Sequence, residues 1–302
     1  ENEKPDNGKN ITYKTQQDYP NPLPLETNRT YLVYLDVWER HITTLEDDYI
    51  REKALGGPDT ASRAKVVWQV KVEEMKNNNE ITCQTIRDSW ENDWVNRWQP
   101  TNRGSLKARV KPPEASTDPC LTAPEVKYRG QENQLYRIEI HKGSKAGKPT
   151  FKWSRDNGSV VSRVLDLTGT ELIVEKSIGF EPGIWVELSN NEQELRGEPG
   201  SLVKVIKVEG DRFTLEAQIS KHDDAKKDKV WPTKVRRWDQ RGDAIPVTEG
   251  KDKNNWLEIE NGIEIQFDPP LEGEPPHTYR TGDYWLIPAR VATGDIEWPV
   301  AM

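Results

Sequence analysis

Side chains that could carry catalytic or metal chemistry are scattered along this chain. The four histidines, His41, His141, His222 and His277, lie in separate segments, without HxH or HExxH spacing and without a Cys/His pair. Zinc sites combine closely spaced ligands of these types, so the sequence predicts no metal site. Phosphate-binding GxxxxGKS/T and GxGxxG loops and a Gly-x-Ser-x-Gly elbow are also absent from the sequence, and we therefore expect no cofactor.

Acidic residues are abundant, and a pair of them could cleave a glycosidic bond. The 302-residue chain carries 51 aspartates and glutamates. Glycosidases use two carboxylates about 5 to 9 Å apart, a geometry that leaves no signature in a sequence. A solvated surface explains the same abundance, so a glycan-cleaving enzyme is an alternative and not the main prediction.

One carboxylate, Asp36, lies in the middle of an apolar stretch. Residues 31–38 read YLVYLDVW and are apolar on both alternating faces, which predicts a central strand buried on both sides. A charge buried there needs an arginine, a lysine or several N–H donors. We expect Asp36 to be a structural buried acid, paired with an arginine such as Arg137 or Arg155, rather than a catalytic acid.

Three tryptophans recur at a spacing of four residues. Trp90, Trp94 and Trp98 would lie along one stripe of a helix over residues 86–98, which ends before Pro100. We expect this stripe to pack on a sheet, as aromatic stripes at helical spacing usually do. Because exposed indoles in a row can stack on sugar rings, a carbohydrate-binding surface is the alternative.

The composition favours a fold of many short strands and excludes two classes of partner. Only 33% of the residues are hydrophobic, while 20 are glycine, 21 are proline and 12 are tryptophan, which suits strands joined by polar loops. The net charge of -8 provides no basic footprint, so we expect no nucleic-acid partner. The apolar runs are far shorter than the roughly 20 residues of a membrane helix, so we expect no membrane span.

Local patterns predict individual elements. A capped helix is expected over residues 44–55 and a strand with one wet face over residues 65–72. Asn-Gly pairs at 157–158 and 261–262 predict two hairpins. In the first hairpin, Lys152 would lie opposite Arg163, an unfavourable pair that requires a nearby acid or a longer loop.

The elements together predict a mainly β fold, a large antiparallel sheet sandwich with a small inserted SH3/OB-like barrel and one or two short helices. Residues 1–29 form an extended N-terminal segment. Residues 30–164 and 233–302 form the main β domain, and the barrel occupies residues 165–232, where short strands and turns follow each other closely. Cys83 and Cys120 are interpreted as free or incidental. The chain opens on Glu1 rather than Met, which we interpret as a mature product or a fragment.

Several long stretches resemble a known bacterial family. They are YLVYLDVWERH at 31–41, ALGGPDTA at 54–61, ENQLYRIEIH at 132–141, FKWSRDNGSVV at 151–161 and RTGDYWLIPAR at 280–290. These stretches are similar to the uncharacterised DUF6519 proteins, a family associated with phage-tail-like and contractile injection loci. The resemblance implies flanking segments in a longer protein and supplies no catalytic residues.

The main functional hypothesis is a non-enzymatic structural or surface-binding module of an extracellular, phage-tail-like particle of bacteria. The resemblance implies that its partners are copies of itself or other particle proteins. A carbohydrate-binding module that uses Trp90, Trp94 and Trp98 is the first alternative, with glycan as the partner. The glycan-cleaving enzyme is the second alternative.

Overall fold

The computed structural model describes residues 11–56, 61–75, 82–90, 94–99, 102–112, 127–219 and 232–299. The chain forms two compact units. The first comprises residues 1–101 with 191–196, and the second comprises residues 102–190 with 197–302. The domain limits given above from sequence patterns remain predictions, whereas the mainly β class is confirmed. Within the described ranges, no helix is long and apolar enough to cross a membrane.

The first unit is built on an antiparallel ribbon of two long strands, β1 (Tyr31–Ile42) and β2 (Arg63–Glu74). Their register runs without a shift from Tyr31 opposite Glu74 to Ile42 opposite Arg63. Three short helices belong to the same unit: α1 (Cys83–Asp88), α2 (Val95–Trp98) and α3 (Asn191–Leu195). The helix α3 is contributed by a segment that lies far from the ribbon in sequence.

The helix predicted over residues 44–55 is wrong. This stretch forms two single 3-10 turns, Asp48–Ile50 and Lys53–Leu55. Each turn begins where an acidic side chain, Asp47 or Glu52, accepts a hydrogen bond from the backbone N–H two residues later. Acids in such positions cap the start of a helix. The backbone becomes extended at Arg51 and left-handed at Gly56, so each turn ends after three residues.

In the second unit, two sheets pack together into a sandwich. Strands β3 (Ser105–Val110), β4 (Gln134–Lys142) and β5 (Thr150–Ser154) come first in the chain. The later strands are β12 (Ile245–Pro246), β13 (Leu257–Glu260), β14 (Ile263–Asp268), β15 (Tyr284–Arg290) and β16 (Asp295–Ile296). One sheet has the order β12-β5-β4-β15-β16 and the other β13-β14-β3. Their shared core includes Ile138 and Phe151 from the first sheet and Ile265 and Phe267 from the second.

The predicted inserted barrel is confirmed. It comprises six strands: β6 (Val161–Thr168), β7 (Glu171–Val174), β8 (Trp185–Ser189), β9 (Ser201–Glu209), β10 (Arg212–Leu215) and β11 (Lys234–Trp238). They close in the order β10-β7-β6-β11-β8-β9. Leu172, Val186, Val205 and Phe213 fill the interior with fully buried side chains. A closed barrel of this size has just enough room for its own side chains.

The two Asn-Gly predictions have different outcomes. At Asn261 and Gly262, both with positive φ, β13 and β14 pair as a hairpin. Asn157 and Gly158 also have positive φ, and the turn is closed by a 2.9 Å hydrogen bond from the Ser159 N–H to the Asp156 carbonyl.

The strands that flank this second turn nevertheless diverge, so the hairpin predicted there is wrong. The strand β5 pairs in the sandwich and β6 pairs in the barrel. Lys152 therefore lies opposite Glu139 instead of Arg163, which removes the unfavourable pair that the hairpin implied.

Candidate functional site

The two faces of the ribbon differ in what covers them. Side chains alternate between faces along a strand, and residues directly opposite each other share a face. The cross-strand pairs Val33/Val72, Leu35/Val70 and Val37/Trp68 therefore point to the same side, and Glu39/Val66 follows them. We call these seven apolar side chains the apolar ribbon face: Val33, Leu35, Val37, Val66, Trp68, Val70 and Val72.

The apolar ribbon face is largely open to solvent. The exposed fractions are 62% for Val33, 59% for Leu35, 59% for Val66 and 46% for Trp68. With Val37, these side chains expose roughly 500 Å², within the range of about 300 to 600 Å² for the largest apolar patch on a monomer, which is often functional. The prediction that this strand is central and buried on both sides is therefore wrong.

The opposite face of the ribbon carries the buried contacts of the unit. Val67 and Gln69 are fully buried. The Gln69 side-chain amide donates to the Leu195 carbonyl over 2.8 Å. Arg40 donates to the Glu194 carboxylate over 2.6 Å and to the Asn191 side-chain oxygen over 2.8 Å. Polar contacts with α3 thus cover the face of β2 that carries Gln69. From the alternation of β2, this polar face was predicted to be the one exposed to solvent.

The outer edge of β2 is covered at Val70 by the side chain of Gln16, which lies before β1 in the chain. The Gln16 amide accepts a hydrogen bond from the Val70 N–H over 2.6 Å and donates to the Val70 carbonyl over 3.0 Å. One glutamine side chain thus replaces the backbone of a neighbouring strand at this position. Because Gln16 is itself buried, the contact forms part of the structure of the unit.

Asp36 lies on the contacted face of the ribbon, with 40% of its side chain exposed. Its carboxylate accepts a hydrogen bond from the Lys71 ammonium over 2.6 Å. The expected pairing with an arginine is wrong, because Arg137 pairs with Glu139 and Arg155 with Glu260. Asp36 is accordingly a half-buried acid that pairs with a lysine, in place of the buried, arginine-paired acid predicted.

The three tryptophans meet in one aromatic cluster that Tyr34 completes. Trp98 is its centre: it stacks on Tyr34 with 4.2 Å between ring centroids, and it contacts Trp94 at 5.1 Å and Trp90 at 6.1 Å. Trp90 is 43% exposed, whereas Trp94 and Trp98 are half-buried. The cluster therefore joins the short helices to β1 and leaves one indole open to solvent.

The second unit contains a buried charge cluster of Lys152, Glu139, Glu187, Arg137 and Trp238. The Lys152 ammonium lies 2.5 Å from the Glu187 carboxylate, 3.1 Å from the Glu139 carboxylate and 4.3 Å from the Trp238 ring centroid. Glu187 also accepts hydrogen bonds from the Trp238 indole N–H over 3.1 Å and from the Gly200 N–H over 3.1 Å. The cluster thus links the sandwich strands β4 and β5 to the barrel strands β8 and β11.

The electrostatics of this cluster favour the ionised form of Glu139. Burial alone would raise the pKa of Glu139, but the charges of Lys152 and Arg137 outweigh it and hold the pKa at about 2. A general acid has to carry a proton near the working pH. Glu139 and Glu187 are two neighbouring acids of the kind that the enzyme hypothesis requires. The low pKa of Glu139, however, suits a structural ion pair and not a general acid.

Sequence patterns did not identify the apolar ribbon face as exposed. The alternation of Val66, Trp68, Val70 and Val72 was visible, and it correctly grouped these residues on one face. Periodicity does not show which face other elements cover.

The described residues contain no cluster of three or more His, Cys, Asp or Glu side chains that could hold a metal ion.

Comparison with known proteins identifies a family without an assigned role. Searches among curated proteins and among solved structures find no match. A family model described as a family of unknown function, DUF6519, matches residues 23–93 and 72–302. These matches span most of the chain, so the chain belongs to the DUF6519 family.

Proposed function

We propose that this chain is a non-enzymatic structural module that is built into a larger assembly through the apolar ribbon face. The observation that carries the proposal is the open face itself, with Val33, Leu35 and Val66 each more than half exposed. Contiguous apolar surface of this extent is unfavourable in water and is often functional.

The composition of the face favours a protein partner. Its side chains are aliphatic apart from Trp68, and charged side chains occur only towards its ends, at Glu39 and Glu74. Depletion of charge at the centre and an aromatic anchor are typical of protein interfaces. A flat aliphatic surface provides few of the polar groups that orient a small substrate.

For the kind of assembly, we propose a phage-tail-like particle outside the bacterial cell. The support is the resemblance of the sequence motifs to this family, which implies an association with phage-tail-like and contractile injection loci. Structural proteins of such particles bury large surfaces against neighbours, as obligate assemblies do. The partners would be copies of this chain or other particle proteins.

The test compares assembly in the native bacterium for the wild type and two lysine variants. Val66→Lys places a charge on the apolar ribbon face, and Leu165→Lys places one at a similarly exposed leucine of the barrel, 58% exposed. We expect wild type and Leu165→Lys to sediment with large particles and Val66→Lys to remain in the free fraction. Equal sedimentation of Val66→Lys and wild type would overturn the proposal.

Oxidative footprinting provides a second readout of the same proposal. Trp68 should react with hydroxyl radicals in the isolated chain and be protected in the particle fraction, because burial excludes the radical with the solvent. Tyr49, 84% exposed and outside the face, is the control for general shielding. Equal reactivity of Trp68 in both fractions contradicts the proposal.

Glycan binding at the aromatic cluster is a second candidate function. The specific observation is Trp90, which is 43% exposed and contacts the Trp98 indole, which in turn contacts Trp94. Stacking of a sugar on an exposed indole is the chemistry that it offers. A glycan array should show binding that Trp90→Ala removes, whereas a blank array would eliminate this candidate.

A further inference from the structure

The outer edge of β1 differs from that of β2, because no residue in the described ranges forms backbone hydrogen bonds along it. The hydrogen bonds of Val70 with Gln16 show that Val70 and the residue opposite it, Leu35, direct their backbone groups away from the ribbon. The bond from the Met75 N–H to the Thr30 carbonyl confirms that even-numbered residues of β1 bond to β2. Odd-numbered residues of β1 therefore point their N–H and C=O groups outward.

These outward groups find no backbone partner in the part of the chain that the structure describes. Among the residues that the structure describes, the backbones of Val33, Leu35, Val37 and Glu39 have no partner on this side. An edge of this kind is a template for another strand. Proteins usually protect such edges with a bulge, a proline or charged side chains, lysine above all. The register of β1 has no shift, residues 31–42 include neither proline nor lysine, and of the outward-facing residues 33, 35, 37 and 39 only Glu39 is charged.

A second copy of the same strand is geometrically suited to this edge. Two identical strands pair antiparallel around a two-fold axis perpendicular to the sheet, so each outward N–H meets an outward C=O of the other copy. This axis keeps each face on its own side. The two apolar ribbon faces would therefore become one continuous surface on one side of a four-stranded sheet.

The arrangement doubles the area of apolar surface that one side of the sheet offers to a further partner. One ribbon exposes roughly 500 Å² of apolar side chains, less than the approximately 800 Å² that each partner contributes to a standard stable interface. Two paired ribbons present about 1,000 Å², which exceeds that value. Pairing of two copies thus creates a docking surface of sufficient size for a stable assembly.

We infer that two copies of this chain pair through the outer edges of β1 into a closed dimer with a continuous four-stranded sheet. The inference rests on the proposed function, because the combined face is the surface through which that dimer would join a larger assembly. It specifies the first partner as a second copy and the contact as backbone hydrogen bonds.

The test is a proline substitution at an outward-facing position. Val37→Pro removes an N–H that β2 does not use, so the ribbon keeps its hydrogen bonds, while an added strand loses a donor. The matched control is Val37→Thr, which retains the N–H and the β-branched shape. Light scattering on the full chain should give twice the mass of one chain for wild type and Val37→Thr, and a single chain for Val37→Pro.

Hydrogen exchange provides a readout that does not depend on the folding of a variant. In the wild type, the Val33, Leu35 and Val37 amides should exchange more slowly as the protein concentration rises through the dimerisation range, by about tenfold or more if pairing protects them. The Leu32 and Tyr34 amides, which point towards β2, are the internal controls and should not change.

The outcomes separate this inference from the proposed function. A monomeric wild type, a dimer that Val37→Pro retains, or growth into open-ended aggregates would each overturn the edge-paired dimer. Val66→Lys lies on β2, away from this edge, and should leave the dimer intact while it prevents incorporation into the particle. If Val66→Lys fails to enter the particle while the wild type is a monomer in solution, the proposed function stands and only the inference is refuted.

Discussion

The stability of the folded protein should depend strongly on the single buried charge of Lys152. Its ammonium is almost completely buried and contacts the carboxylates of Glu139 and Glu187. Lys152→Met leaves both carboxylates in the interior without this cation, so we expect a loss of about 3 to 5 kcal/mol in the free energy of unfolding. Urea denaturation measures the loss.

Two further variants control this prediction. Lys207→Met removes an exposed lysine that pairs with Glu209, and it should cost less than about 1 kcal/mol. Lys152→Met combined with Glu187→Gln should recover part of the stability, because it also removes one unpaired charge. A cost for Lys152→Met as small as that of Lys207→Met would contradict the buried charge cluster.

Glu139 predicts a dependence of stability on pH. Its pKa is lowered from 4.5 to about 2, so its ionised form stabilises the folded state. This contribution is fully present above the unfolded pKa of 4.5 and is lost as the pH falls towards 2. Denaturation series in that window should show a smaller pH slope for Glu139→Gln than for the wild type, and equal slopes would refute the assignment.

Trp98 connects two elements, because it lies in α2 and stacks on Tyr34 of β1. It is the ring that Tyr34, Trp90 and Trp94 all contact. Trp98→Ala should destabilise the first unit by about 3 kcal/mol or more through the cavity that it leaves. Trp90→Ala, at the exposed side of the cluster, should cost less than half as much. Urea denaturation of each variant provides the comparison, and equal costs would contradict the central role of Trp98.

The elements also show how far sequence patterns determined the fold. Closely spaced short strands between residues 165 and 232 predicted the barrel correctly, and three of its pairings, β6-β7, β8-β9 and β9-β10, join consecutive strands. The pairings β10-β7, β6-β11 and β11-β8, which close the barrel, join strands that are not consecutive in the chain. The turn at Asn157 and Gly158 was predicted from local backbone preference, and it forms. Its flanking strands join different sheets because pairing is decided by non-local contacts, which local preference does not describe.

The candidate site was less predictable for a related reason. Alternation showed that Val66, Trp68, Val70 and Val72 share a face, but a face is buried only if another element covers it. The polar contacts of Gln69 and Arg40 with α3 come from residues more than 120 positions away. Burial of Gln69 in place of Trp68 therefore had no signal in the sequence of β2.

For the whole molecule, the net charge determines how association should respond to salt. Each chain carries a charge of -8, so two copies repel each other, while neither the apolar ribbon face nor the β1 edge relies on opposite charges. Raising the NaCl concentration from about 50 to 500 mM screens the repulsion. The dimerisation constant should therefore increase, as measured by sedimentation equilibrium on the full chain. A dimer that weakens with salt would indicate an interface of charged pairs and would contradict the pairing through β1.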